Sequence, residues 1–272
     1  MDAAIIRSRT NALVKRLVRL RERREREREG VLLVEGAREL RRAVAAGWRL
    51  ELLAYCPELF SDEAHGRADE LGAAAASQRR LAPDAFARAS LREHPDGLLG
   101  VVRPPAFTLD TLAWAADGLY LVIAGLEKPG NVGALLRSAD AVGCDAVFVT
   151  GAGTDLGNPN VVRSSMGSVF TRPVLHVDDA ALRARLAHER VRLVATSPNA
   201  TRAFWSVPLL GAVAVVVGPE HSGLDAAWLT AADAVATIPM RGAADSLNVA
   251  TAGALVLYEA LRQRVAAAAQ KG

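Results

Sequence analysis

Cysteine is scarce: the 272-residue chain has two, Cys56 and Cys144, far apart and in no metal-type pairing, which excludes a disulfide scaffold and a cysteine-rich zinc fold. His65, His94, His176, His188 and His221 show neither H-x-x-x-H nor H-E-x-x-H spacing, so a metal site is not expected. Long hydrophobic runs are missing as well. No stretch reaches the roughly 18 uncharged apolar residues of a membrane span. The N-terminus lacks the basic–apolar–small order of a secretory signal, which predicts a cytoplasmic protein. Neither a G-x-S-x-G elbow nor a Walker A loop occurs, so serine hydrolases and P-loop enzymes drop out. Lysine is nearly absent, at positions 15, 128 and 271 against 30 arginines, which reflects a coding bias toward arginine more than a functional choice.

What is present is unevenly placed. Residues 1–30 carry ten Lys or Arg and five acids, a net +5 that leaves −2 for the other 242 residues. A basic end of this kind points to a polyanionic partner, although the arginines of 21–28 alternate with glutamates and are equally readable as a solvated helical face.

Periodicity predicts a helix over 10–28 with Leu13, Val14, Leu17 and Leu20 as its apolar stripe and Gly30 as its stop. A strand at Val31–Val34, a helix at Ala37–Ala46, a strand at Arg49–Tyr55, a helix at Asp62–Ala75 and a strand at Gly97–Val102 complete a small α/β unit, 1–105. Pro104 and Pro105 close it, and 106–117 reads as a linker to a larger domain, 118–268. There, Leu119–Ala124, Ala146–Val149, Val191–Ala195, Ala212–Val217 and Ala234–Ile238 are continuous apolar runs suited to strands buried on both faces, hence a mostly parallel sheet. A long helix, Ser246–Arg264, ends the chain, followed by an alanine-rich tail expected to fray.

Open parallel sheets bind ligands at the carboxyl ends of their strands. Three turns there stand out. In the first, 125–137, Asn131 is placed as N-cap of the next helix, and Arg137 falls off that helix's buried stripe, free to face solvent or a cleft. The second, 218–224, combines glycines with the carboxylate of Glu220; the third, 238–249, leads from Ile238-Pro239-Met240 into a helix opened by Asp245 or Ser246, with Asn248 beside it. A fourth cluster, Gly151–Gly157, is spaced G-x-G-x-x-x-G and interrupted by Asn158-Pro159-Asn160, so it reads as a generic loop, not a dinucleotide fingerprint, with Arg163, Ser164 and Ser165 as candidate substrate contacts.

In order, the three turns resemble the SpoU/TrmH family of RNA ribose 2′-O-methyltransferases, within the SPOUT class: N-x-G-x-x-x-R at Asn131, Gly133 and Arg137; G-x-E-x-x-G-L at Gly218, Glu220, Gly223 and Leu224; and I-P-M followed by S-L-N-V at Ile238–Met240 and Ser246–Val249. Each motif is short, but three in sequence are specific. The N-terminal part, with Asn11, Lys15, Leu17 and the phrase Leu32-Leu33-Val34-Glu35-Gly36, is similar to the family's ribosomal-protein-like substrate-binding domain.

The resemblance implies an α/β domain with a deep trefoil knot, a homodimer, S-adenosyl-L-methionine as cofactor, no metal and RNA as substrate, most often large-subunit ribosomal RNA. Transfer RNA is the alternative substrate, and a non-catalytic RNA-binding or ribosome-assembly protein the alternative role. By the same resemblance Arg137, Asn131, Glu220, Ser246 and Asn248 form the catalytic set, while Thr196, Gly218, Ile238, Met240, Ser246 and Leu247 hold the cofactor.

Overall fold

The computed structural model describes residues 5–151 and 155–270. It divides into two compact units, 1–106 with 155–171, and 107–154 with 172–272.

The first unit opens with helices α1 (Ala12–Arg19) and α2 (Arg23–Glu29). The single helix expected over 10–28 is therefore broken. The break is stabilised by Arg26, which is 4% exposed and donates to the carbonyls of Leu20 and Arg21, while pairing with Asp155. Val14, Leu17 and Leu20 are fully buried as the stripe requires, and Gly30 ends α2 at φ 65°. The unit continues through β1 (Leu32–Glu35), α3 (Ala37–Ala45), β2 (Arg49–Tyr55), α4 (Asp62–His65), α5 (Ala68–Ala74), β3 (Gln78–Arg80), α6 (Pro83–Ala89) and β4 (Leu98–Arg103). The helix expected over 62–75 is thus two short ones, interrupted at Gly66 and Arg67. The strands form a mixed sheet in the order β1-β4-β2-β3, antiparallel except for β2 with β3.

In the second unit β5 (Leu119–Ala124), α7 (Pro129–Val142) and β6 (Ala146–Thr150) come first. The glycine cluster that follows cannot be placed as a whole, because residues 152–154 lie outside the described residues. Residues 155–171, which include helix α8 (Pro159–Ser164), belong to the first unit: Phe170 meets the Trp48 ring edge-on at 4.9 Å, and Arg42 donates to the Met166 carbonyl at 2.5 Å. Ser165 is buried and donates to the Val162 carbonyl, and Arg163 donates to Asn160.

The chain then supplies β7 (Val174–His176), α9 (Asp179–His188), β8 (Arg192–Thr196), β9 (Arg202–Ala203), β10 (Val213–Val217), α10 (Ala226–Ala231), β11 (Ala234–Thr237) and α11 (Val249–Ala269). The seven strands form one sheet in the order β7-β6-β5-β10-β8-β11-β9, parallel at every pairing. Every residue of β5, β6 and β10 is buried, as their unbroken apolar runs require. Tyr120, Val122, Phe148, Ala195, Val216 and Trp228 share one core, and Trp114, from the stretch before β5, stacks on Phe148 at 5.6 Å. On the other face α11 packs on α7 and β10. Gly253 permits that approach: a Cβ there would come within 2.5 Å of Leu135 Cδ2. The alanine-rich tail does not fray; α11 runs to Ala269, as alanine's high helix propensity favours.

Strand order reverses between β5 and β10. The chain leaves β5 toward β6, and leaves β10 toward β11 on the opposite side. This switch point, where the loops after two adjacent strands diverge, is where an open parallel sheet places its ligand crevice.

Candidate active site

Each of the three marked turns leaves the carboxyl end of a strand, β5, β10 or β11. The first was expected to have Asn131 as N-cap. Instead α7 starts two residues earlier at Pro129, whose fixed φ and missing N–H suit a first helical position. Asn131 is the helix's third residue, and its side-chain amide is free to reach across the switch point. There its Nδ2 donates to Glu220 Oε1 at 3.2 Å.

A similar correction applies to the third turn. The final helix opens neither at Asp245 nor at Ser246; its N-cap is Asn248, whose Oδ1 accepts from the Ala250 N–H at 3.0 Å. Asn248 Nδ2 donates to Glu220 Oε1 at 2.7 Å and to Asn131 Oδ1 at 3.0 Å, and the Val249 N–H reaches the same Glu220 oxygen at 3.1 Å. One carboxylate oxygen thus receives three N–H groups, from α7 and from the first turn of α11.

The geometry fixes the charge state. The Val249 N–H holds the Glu220 carboxyl below the usual carboxylate range, helped by Lys128, by Asn131 and by the neighbouring His221. A carboxylate at a helix N-terminus is favoured in its ionised form.

Beside this cluster the loops after β8, β10 and β11 enclose a cavity of about 840 Å³, within the range of small-molecule and cofactor sites. Thr196, Gly218, Glu220, Ile238, Met240, Ser246 and Leu247 all line it. Thr196 Oγ1 donates to the Val216 carbonyl at 3.0 Å, which ties the ends of β8 and β10 together. At Gly218 the wall folds tightly: an added Cβ would meet Leu224 Cδ2 at 2.8 Å, so only glycine lets the 218–224 loop turn back on itself.

Three expected site residues do not line the cavity. Asn131 and Asn248 touch it only through Glu220. Arg137 lies six residues beyond Asn131, about 9 Å further along α7, exposed and without a hydrogen bond or ion pair among the described residues.

Several wall residues were not singled out from sequence: Ser197, Pro198, Asn199 and Ala200 after β8, and Leu229 and Ala252 from α10 and α11. The polar turn Ser197-Pro198-Asn199 directly after an apolar run was the available signal. His221 also lines the cavity.

The sequence matches the SpoU rRNA Methylase family over residues 118–258 and an MRM3-like substrate binding domain over residues 11–100. The chain is 33% identical to a 23S rRNA (uridine(2479)-2′-O)-methyltransferase of Streptomyces viridochromogenes, over 89% of this chain and 86% of that protein. Among solved structures it is similar to an RNA 2′-O ribose methyltransferase at 43% identity, with a TM-score of 0.82 over 96% of this chain and 99% of the other. It is also similar to the SpoU methyltransferase AviRb of S. viridochromogenes in complex with AdoMet, at 32% identity and a TM-score of 0.85 over 94% and 98% of the two chains.

If Glu220 holds the cluster through its charge, Glu220→Gln should lower Tm by an amount that depends on pH. A depressed carboxylate contributes stability that is present above its unfolded value, about 4.3 for Glu, and lost as pH falls through its lower folded value. The gap between wild type and variant in thermal melts should be constant above about pH 5 and should close below about pH 4; a gap that ignores pH would contradict the assignment. The chain belongs to the SpoU rRNA methylase family.

Proposed function

We propose that the protein transfers a methyl group from S-adenosylmethionine to a ribose 2′-hydroxyl of large-subunit ribosomal RNA. The observation that carries this reading is the cavity at the ends of β8, β10 and β11, joined through Glu220 to Asn131 and Asn248. Its size and its mixed lining, with Leu224, Ile238 and Met240 beside Thr196 and Ser246, fit an adenosyl group carrying an amino-acid tail. Bound there, S-adenosylmethionine supplies an electrophilic methyl on sulfur.

The chain's own groups then divide the work. Backbone at Gly218, Ile238, Met240 and Leu247, with Thr196, cradles the cofactor, and Ser246, in the same cavity wall, stands near the transferring methyl in this reading. Glu220 stays ionised with Oε1 saturated, which makes it an organiser of Asn131 and Asn248 and a weak proton acceptor. Arg137 is the group that meets the RNA. A guanidinium with a pKa above about 12 is a poor base, but its planar fork suits holding a phosphate and the neighbouring hydroxyl in line with the methyl.

The chain acts as a homodimer in this reading. Leu255, Tyr258 and Val265, spaced three and seven apart on α11, are 38%, 52% and 61% exposed and share one face. That apolar face and Arg137, unpaired among the described residues, support a site completed by a second copy. The trefoil knot belongs to the same proposal; a crystallographic trace in which α11 passes through no loop would remove it. The described residues include no helix long and apolar enough to cross a membrane, and a ribosomal substrate places the enzyme in the cytoplasm.

Transfer of labelled methyl from S-adenosylmethionine to 23S ribosomal RNA tests the roles. Arg137→Ala should lower kcat by about 100-fold or more at unchanged cofactor affinity, and Arg137→Lys should recover little of it. Near-full turnover with Lys would remove the bidentate role, and full turnover with Ala would remove Arg137 from the site. For the assembly, Leu255→Glu combined with Tyr258→Glu should shift sedimentation from dimer to monomer; an unchanged dimer would place the interface elsewhere.

A further inference from the structure

The basic N-terminal segment raises the question of which of its charges are available to RNA. Most are not. Arg16 pairs with Glu29 at 2.7 Å, Arg19 with Glu25 at 3.7 Å, Arg23 with Glu27 at 2.7 Å and Arg28 with Glu25 at 2.6 Å, while Arg26 is buried against Asp155. The three glutamates of α2 therefore engage four arginines, Arg16 and Arg19 of α1 and Arg23 and Arg28 of α2. Arg7, Arg9, Lys15 and Arg24 make no ion pair among the described residues.

One of these converges with two other arginines. Ile6 pairs with Leu81 through Ile6 N–H to Arg80 O at 3.0 Å and Ala82 N–H to Ile6 O at 2.9 Å, which draws the chain before α1 alongside α6. Val14, Leu17 and Leu20 of α1 pack against Leu81, Ala85, Phe86 and Ala89. Along that seam Arg9, Arg21, Asp84, Ala87, Arg88 and Ser90 enclose a notch of about 360 Å³. Arg21 is held in place by donating Nη2 to the carbonyls of Arg88 at 2.7 Å and Ser90 at 2.5 Å, and its Nε is buried without a partner. Arg9 and Arg88 are exposed, and the one carboxylate present, Asp84, pairs with none of the three among the described residues. Three guanidiniums against one carboxylate leave the notch with a net +2. Burial first, and then the nearby Arg88 charge, push the Arg21 pKa down, opposed by the buried Glu35 carboxylate that accepts from Ser90 Oγ behind the notch.

We propose that the Arg9–Arg21–Arg88 notch on the α1–α6 seam is a phosphodiester-binding site for the RNA substrate, and that the ion-paired Arg23, Arg26 and Arg28 of α2 are not. Arg21 is the fixed member, and Arg9 and Arg88 close on the phosphate oxygens, as exposed arginines do in bidentate phosphate recognition. The inference rests on the proposed function for the identity of the polyanion.

The test compares two double variants of the full chain on 23S ribosomal RNA, measuring affinity across a salt series, S-adenosylmethionine affinity and methyl transfer. Each lost phosphate contact removes roughly 0.7–0.9 from the slope of log K against log salt. Arg9→Gln with Arg88→Gln should reduce the slope by about 1.4–1.8 and weaken binding about tenfold at low salt, with cofactor affinity intact. Arg23→Gln with Arg28→Gln should leave the slope unchanged. A wild-type slope in the first variant, or an equal loss in the second, would overturn the inference. Failure of the proposed function shows differently, as a wild-type protein that binds the RNA with its full salt slope and transfers no methyl.

Discussion

One carboxylate oxygen organises the site. Glu220 Oε1 accepts from Asn131, Asn248 and the Val249 N–H, and so joins the first turn of α7, the loop after β10 and the start of the last helix. These segments are separated by 89 residues in one direction and 28 in the other. Nothing local in the sequence would bring them together. The parallel sheet does, by setting β5 beside β10, and the charge on Glu220 then decides where α11 begins. Removing that charge leaves two amides and a helix N-terminus converging on a group that no longer attracts them equally.

That dependence explains which features were legible in the sequence. The strands were, because residues buried on both faces must be apolar throughout: β5, β6 and β10 were readable nearly to the residue. The short edge strands β7 and β9 were not, since three and two residues carry too little periodicity to read. Helix ends were misjudged wherever a distant side chain sets them. Asn131 looked like a cap because asparagine usually is one there, but Pro129 begins α7 and frees Asn131 to bond across the sheet. The break between α1 and α2 likewise depends on Arg26 reaching back to the Leu20 carbonyl, a contact that amphipathic periodicity cannot foresee.

The residues that the family resemblance names for the cofactor, Thr196, Gly218, Ile238, Met240, Ser246 and Leu247, all line one cavity, at the end of β8 and in the loops after β10 and β11, where an open parallel sheet places its ligand crevice. Arg137 shows the limit of that rule. It is on the same helix as Asn131 but outside the cavity. The net charge of the first 30 residues was a similar half-signal: it indicated a polyanion, whereas ion pairs occupy half of its basic groups and Arg9 and Arg21 meet Arg88 at the seam with α6.

The central claim is that this cavity and its carboxylate-held amides serve methyl transfer to a ribose of the large ribosomal RNA. Mapping ribose 2′-O-methylation across ribosomal and transfer RNA, in cells lacking the gene and in cells complemented with it, tests that claim most directly. The account predicts that one mark in 23S ribosomal RNA disappears on deletion and returns with the wild-type gene but not with Arg137→Ala. Loss of a mark from transfer RNA alone, or no change in either RNA, would contradict it.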